Sequence, residues 1–588
     1  MATVTINGTS VKVKNGTSIL RAAESVGINI PILCFLEEVN EVGFCRLCVV
    51  EVEGEQDLIS SCNTPVKNKM RIYTDTKRVL ESRKTSLQLL ASKHRFDCWR
   101  CPKDGHCEFY DMLKQYDIEF DEFGPSTGRY EDIITGLGIT QDQSKCILCK
   151  RCVSVCAVEV TTRVLKFRDD DGLNPVVSPT VGLTFDQAGC INCGQCVAVC
   201  PTGTLFDTDH IVKVEEMLDD KKRFVIAQTT PEVKSALIEE FGLNKELTCK
   251  KIDEMLNDAL QQLGFDHTLD VTFANDLTVL EIATELEDRI LKGIESPLFS
   301  SVCPSSVSYI ENYQPDHLTN ISQVKGPHIA QGAILKSYYN DKYLEEDKLK
   351  INVVSLVSCP ARKAEIARED LEVDGVRDVD AVLTIREFAR MLRKKEIDFK
   401  SLAGIKNESY FEPSSGASVL FGVSGGLTTA IIRTLYNILE KKELSELDFK
   451  DVLIKSHSKK GSIREFKIRM MNMDIRFAVV DGGASMKEIF RILETGKKKY
   501  HFIELMACAS GCINGGAMPI NFNDKLNDAI VDRANLLYLE DTLYRPNRKA
   551  HLNKSVANIY KDFFTQPSSK QAHKYLYRDF SVKDIRNE

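Results

Sequence analysis

Cys34, Cys45, Cys48 and Cys62 follow one another with C-x10-C-x2-C-x13-C spacing, and His94, Cys98, Cys101 and Cys107 come next as H-x3-C-x2-C-x5-C. Cys146, Cys149, Cys152 and Cys156 then form a C-x2-C-x2-C-x3-C run. Cys190, Cys193, Cys196 and Cys200 repeat it 44 residues later with Pro201 directly behind. Each group has the ligand count of an iron-sulfur cluster, and in two-cluster modules with this spacing the fourth cysteine serves the other cluster, so Cys156 and Cys200 are expected to cross over. Three cysteines and a histidine would also suit zinc in isolation, and that alternative stands for the His94 group. Ten disulfides are the competing use of twenty cysteines. Clustered C-x2-C pairs in a long chain without an export pattern point instead to metal thiolates. Four clusters in series carry electrons.

At 588 residues the chain exceeds one ordinary core, and length suggests roughly three to five domains. The net charge of −8 and the scattered basic residues argue against a nucleic-acid partner. The opening MATVTINGTSVKV alternates as a strand does and lacks a signal-peptide pattern, and no stretch reads as a membrane span. A cytoplasmic protein is expected.

The elements that must hold these ligands follow. Residues 1–78 read as a small β-rich domain, with alternating Val4, Ile6, Val11 and Val13, a helix from Thr17 to Val26 ending at Gly27, and strands at Val49–Val52 and Met70–Tyr73. Cys34, Cys45 and Cys48 lie on the loop containing Gly43. Residues 79–118 are expected to be helical from Leu80 to His94, and residues 126–209 hold the tandem repeat. From 210 to 588 the composition becomes ordinary α/β, with helices at Asp276–Leu291 and Leu427–Leu439 and the strand-like INVVSLVSC ending at Cys359. Cys303, Cys359, Cys508 and Cys512 stand out in this part. Cys249 reads as a structural thiol.

The first 78 residues resemble the plant-type [2Fe-2S] module, a β-grasp fold, in its respiratory-complex form. The whole order of modules, followed by FSSVCPSS, VSCPARKAE and IELMACASGCINGGAMP, is similar to bacterial [FeFe]-hydrogenases. FEPSSGASVLFGVSGGL and YRPNRKAHLNKS make that family closer than the large peripheral subunit of respiratory complex I. The resemblance implies a multidomain α+β and α/β protein with one [2Fe-2S] cluster, three accessory [4Fe-4S] clusters and a further [4Fe-4S] cluster. Cys303, Cys359, Cys508 and Cys512 would hold the last, Cys512 bridging to a two-iron unit with CO, cyanide and a dithiolate amine. Four unrelated core cysteines are the bland alternative. Pro231, Phe421 and Met506 match residues of the family's diatomic-ligand cavity, and plain packing explains them equally.

Several positions depart from the family. Where it has a proton-accepting cysteine this chain has Val302, and where it has a relay glutamate this chain has Ile282. Glu285, Arg289 and Ser322 match the outer relay, although Glu285 and Arg289, an i, i+4 pair, could simply be a helix-surface salt bridge. Arg362 replaces a lysine, and a planar guanidinium does not replace a compact ammonium in a tight site. Thr230 and Glu232 flank Pro231, the last motif reads GGAMP, and Glu232 would place negative charge near the irons unless paired with Arg362. Ala157 stands where the first run would have proline.

Two functions follow from the resemblance. One is a hydrogenase-family oxidoreductase whose electrons run to or from a six-iron site with impaired H2 turnover. The other is a non-catalytic subunit with a plain [4Fe-4S] cluster at the former active site. The second would work with a flavin-containing NAD(P)H-oxidising subunit, a small [2Fe-2S] subunit and ferredoxin, in an electron-bifurcating or formate dehydrogenase-linked complex. A hydrogen sensor would need a signalling domain, for which the tail leaves no room.

Overall fold

The computed structural model describes residues 1–119, 133–168, 175–180, 182–244, 247–340, 350–406, 409–444, 461–519 and 526–580. They form two compact units. The first comprises Met1–Glu159, Arg163–Ala188 and Val199–Phe206; the second comprises Val160–Thr162, Gly189–Ala198 and Asp207–Glu588. The division therefore runs through the second ferredoxin-like run: Cys190, Cys193 and Cys196 belong to the second unit, Cys200 and Cys156 to the first.

In the first unit, Ala2–Ile6 pairs antiparallel with Thr9–Val13 and parallel with Arg71–Tyr73, which pairs antiparallel with Val49–Val52. Alternation along Ala2–Ile6 turns Val4 and Ile6 inward against Ile19, Leu20, Val50 and Ile72. The helix over these residues is Ile19–Glu24, shorter than expected, because the Ser18 side chain accepts from Arg21 N and starts it there. The next helix is Lys77–Ala91, capped by Thr76. It stops before His94, whose backbone N–H closes the following turn onto Ala91 O.

The second unit is mixed α/β and contains two four-stranded sheets. In one, His267–Asp270, Arg223–Thr229, Lys350–Val357 and Ala381–Thr384 lie side by side and all parallel. Val225 and Ala227 enter one apolar core and Ile226 the other, as expected for strands covered on both faces. In the other sheet, Leu298–Phe299, Phe502–Met506 and Met473–Asp481 run parallel, with Ser462–Met470 antiparallel at the edge. Helices Thr272–Leu291 and Gly426–Glu440 pack together within the larger core. Among the described residues no helix is long and apolar enough to cross a membrane.

Candidate metal centres

The first cysteine group is buried. Cys45 N donates to Cys34 Sγ at 3.5 Å, and the Cys48 and Cys62 sulfurs are 3.3 Å apart. The hydrogen bond with Cys45 lowers the Cys34 thiol to about 6, and that with Cys62 lowers Cys48 to about 7. The same hydrogen bonds push their partners Cys45 and Cys62 up, so within each pair one sulfur is favoured as the thiolate and the other holds the proton. Asn40, fully buried between Cys34 and Cys45 in sequence, donates from Nδ2 to Cys34 O at 2.6 Å and to Cys149 O at 3.1 Å. The first and third groups are thus tied by one side chain.

His94 is buried, and its Nδ1 lies 3.0 Å from Lys145 O. A carbonyl can only accept, so Nδ1 carries the proton and Nε2 keeps its lone pair for a metal. Burial lowers the imidazole to about 4, which keeps it neutral, and burial raises Cys107 to about 12. The group sits against the next: Cys107 Sγ approaches Pro201 O at 3.6 Å, and a Cβ on Gly203 would collide with Cys101 Sγ. Cys146, Cys149, Cys152 and Cys200 line one pocket with Ile147, Val177 and Pro201. That arrangement brings the fourth cysteine of the second run to the first three of the first, one half of the exchange expected from the spacing.

Cys303, Cys359, Cys508 and Cys512 lie in the second unit, two of them just past the C-terminal ends of parallel strands, where such sheets open their crevices. Cys359 follows Lys350–Val357, Cys508 follows Phe502–Met506, Cys303 caps helix Pro304–Tyr313, and Cys512 opens a short turn. Burial pushes the Cys359 thiol up, with Cys508 and Cys303 adding to it. Burial also raises Cys512, then Glu232 and Cys303. Cys359 is thus a charged neighbour of Cys303 and Cys508, and Cys512 of Cys303 and Cys359, and a [4Fe-4S] cluster held by the four would supply positive charge to offset that repulsion.

The loop from Cys508 to Cys512 is held firmly. Asp481, at the end of its strand, accepts from Ser510 N at 2.9 Å, Ser424 Oγ at 2.8 Å and Ser462 Oγ at 2.9 Å. Gly511 takes φ +94°, and a Cβ there would meet Ser424 N at 2.7 Å and Met506 Sδ at 2.9 Å, so only glycine fits.

In front of Cys512 stands the carboxylate of Glu232, 5 % exposed, accepting from Thr230 Oγ1 at 2.8 Å and Ser358 Oγ at 2.6 Å. Arg362 is not its partner. The Arg362 guanidinium donates to Glu365 at 2.7 Å, and His328 Nε2 reaches the same Glu365 oxygen at 2.8 Å, with Ser355 Oγ 3.0 Å from Nδ1. Burial works against the Glu365 charge, but Arg362 and His328 hold the carboxyl down to about 2. Glu232 thus presents acceptor oxygens beside Cys512 where a cyanide-bearing two-iron unit would ask for donors, whereas the Arg362 guanidinium, though bound to Glu365, is also a charged neighbour of Cys512 and Cys303. Pro231 is buried beyond Thr230, and Phe421 and Met506 are buried too.

Val302, 6 % exposed, and Ile282, fully buried, belong to one apolar core with Phe421. Neither can carry a proton. Glu285 and Arg289 do not form the surface ion pair that their spacing allowed. Ser322 Oγ donates to Glu285 at 2.5 Å, while Arg289 donates to Ser296 O and Oγ at 3.0 Å each. Burial outweighs the Ser322 hydrogen bond and raises Glu285 to about 7. Asp481, Glu365, His328 and Gln195 carry site geometry that the spacing rules passed over. Glu365 could have been found as the residue one turn after Arg362. Cys249, buried at the start of helix Cys249–Leu263, is raised to about 12 by burial and Glu540.

The fold and these centres define an iron-sulfur oxidoreductase built around a four-cysteine crevice. The model of the iron-only hydrogenase large subunit, C-terminal domain, matches residues 223–516, and that of the iron hydrogenase small subunit matches 527–580. A 2Fe-2S iron-sulfur cluster binding domain matches 1–77, the NADH-ubiquinone oxidoreductase-G iron-sulfur binding region 83–121, and a 4Fe-4S dicluster domain 145–204. The chain is 37 % identical over 99 % of both lengths to the NADP-reducing hydrogenase subunit HndD of Solidesulfovibrio fructosivorans. It is 34 % identical to iron hydrogenase 1 of Clostridium pasteurianum, over 98 % of this chain and 99 % of that one. The solved apo [FeFe]-hydrogenase of Chlamydomonas reinhardtii superposes with a TM-score of 0.54 at 26 % identity, over 63 % of this chain and 98 % of that one. The chain belongs to the iron-only hydrogenase family, and is an [FeFe]-hydrogenase-like iron-sulfur electron-transfer protein.

Proposed function

We propose that this chain is an electron-relay subunit in which electrons pass along four accessory clusters to a plain [4Fe-4S] cluster at Cys303, Cys359, Cys508 and Cys512, without hydrogen turnover. The ligands would be Cys34, Cys45, Cys48 and Cys62 for the [2Fe-2S] cluster, His94, Cys98, Cys101 and Cys107 for the next, and the two ferredoxin-like runs with Cys156 and Cys200 exchanged. The observation that carries this reading is the buried Glu232 carboxylate beside Cys512, with Val302 and Ile282 closing the proton side in one apolar core. A positioned proton donor is worth about 10²- to 10⁴-fold in rate, and its loss leaves electron transfer untouched.

Because a relative over its whole length is named an NADP-reducing hydrogenase subunit, the partners we infer are a flavin-containing NAD(P)H-oxidising subunit, a small [2Fe-2S] subunit and ferredoxin, with a formate dehydrogenase as a further acceptor. The division of labour would be a cytoplasmic multi-subunit complex.

Chemical iron analysis and infrared spectroscopy after maturation with the dedicated accessory enzymes test this. The relay reading gives about eighteen irons per chain and no CO or cyanide bands, whereas a two-iron unit gives about twenty and both bands. The retained Cys512, Pro231, Phe421 and Met506 favour the second reading, a six-iron site with slow turnover, and bands would establish it in place of the first.

A further inference from the structure

Gln195 lies between Cys193 and Cys196, and its Nε2 donates to Cys508 Sγ at 3.3 Å and to Asn514 O at 2.9 Å. Both partners accept only, once Cys508 is a thiolate. The amide is therefore oriented unambiguously, with one proton for each. The two cysteine sets are also in contact through backbone. A Cβ on Gly516 would meet Gly194 Cα at 2.5 Å and collide with Cys193 O, and one on Gly194 would meet Pro360 Cγ at 2.6 Å. Cys359 Sγ approaches Cys193 O at 3.9 Å, and Cys508 is the foremost charged neighbour of the buried Cys193 thiol. No slack separates the cluster carried by Cys190, Cys193 and Cys196 from the one carried by Cys303, Cys359, Cys508 and Cys512.

We infer that Gln195 is the bridge between these two clusters and sets the potential of the second through its N–H···S hydrogen bond to Cys508. A donor aimed at a ligand sulfur stabilises the more negative, reduced state and so raises the reduction potential. The bond also gives a path of covalent and hydrogen bonds from the backbone of one cluster's ligands to the ligand sulfur of the next. With clusters held at Cys190, Cys193 and Cys196 and at Cys303, Cys359, Cys508 and Cys512, one electron would pass from the first to the second with no bond broken, the Gln195 amide keeping both protons. The inference rests on a cluster being held at Cys303, Cys359, Cys508 and Cys512.

The test is an EPR-monitored redox titration of the full-length chain with its clusters, native and as Gln195→Leu. Leucine fills the volume without a donor. The midpoint of one [4Fe-4S] centre falls by about tenfold in its reduced-to-oxidised ratio, about 59 mV for one electron, while the other centres stay put. Should the leucine variant lose the centre, Gln195→Glu supplies the second reading. Its midpoint falls at high pH and returns toward native as the carboxyl protonates and donates again, a pH dependence absent from the native chain. A native chain with its full iron complement and an unchanged midpoint in Gln195→Leu overturns the inference alone. A native chain with about fourteen irons and no such centre overturns the proposed function together with it.

Discussion

The Ser322 hydroxyl donates to the Glu285 carboxyl at 2.5 Å, so two residues at positions matching the outer half of the family's proton route are joined, while Val302 and Ile282, at positions of its inner half, lie in an apolar core. Introducing Val302→Cys with Ile282→Glu would rejoin the halves. For the relay subunit proposed here, H2 production in a methyl viologen assay stays at background in the double variant. A rise of about 10²- to 10⁴-fold would mean that a competent two-iron unit was present and only its proton donor missing.

Glu285 also makes a stability prediction. Its carboxyl is raised from 4.5 to about 7 in the folded chain, so between those values the folded state holds a proton that the unfolded state has released. Stability from this group is full below about 4.5 and is lost as pH rises through about 7. Calorimetric unfolding of Glu285→Gln is therefore expected to show a flatter pH dependence across that window than the native chain. An identical slope would contradict the burial argument.

Glu365 is shared by Arg362 and His328, with Glu365 and His328 buried and the Arg362 side chain 11 % exposed. Removing it leaves a cation without its partner, and breaking such a pair from one side costs about 3–5 kcal/mol. Denaturant unfolding of Glu365→Gln would measure this. A loss below about 1 kcal/mol would show that water reaches Arg362 freely.

Glu232 places its charge beside Cys512. Glu232→Gln keeps the shape and removes the charge, so the midpoint of the centre at Cys303, Cys359, Cys508 and Cys512 is expected to rise. An unmoved midpoint would place the carboxylate outside the field of the cluster.

The pocket shared by Cys146, Cys149, Cys152 and Cys200 predicts a non-additive result. Cys146→Ser and Cys200→Ser together should remove one centre, about four irons, because both serve it. Cys146→Ser with Cys156→Ser should remove two. Iron analysis with EPR distinguishes them.

The grouping of the cysteines was legible because such spacing is local: a C-x2-C pair is set by a few residues of backbone. The strands at Val49–Val52 and Lys350–Val357 were legible for the same reason, their alternation or continuous apolar run being short-range. Longer reach hid the rest. Gln195 meets Cys508 from 313 residues away, and nothing in GQC announces that partner. Glu285 and Arg289 had the spacing of an ion pair, but Ser322 and Ser296 from other segments took their hydrogen bonds. Lys145 O, 51 residues from His94, fixes which ring nitrogen is free, and capping by the Thr76 side chain set where the preceding helix begins.

The border between the two compact units passes through the ferredoxin-like duplication instead of beside it. The first copy's four cysteines belong to one unit, and three of the second copy's belong to the unit that holds Cys303, Cys359, Cys508 and Cys512. Domain exchange between relatives at the end of the repeat, the junction a sequence comparison suggests, would separate Gly194 and Gln195 from Gly516 and Cys508. A hybrid joined before residue 189 would keep that set of neighbours as one inherited block.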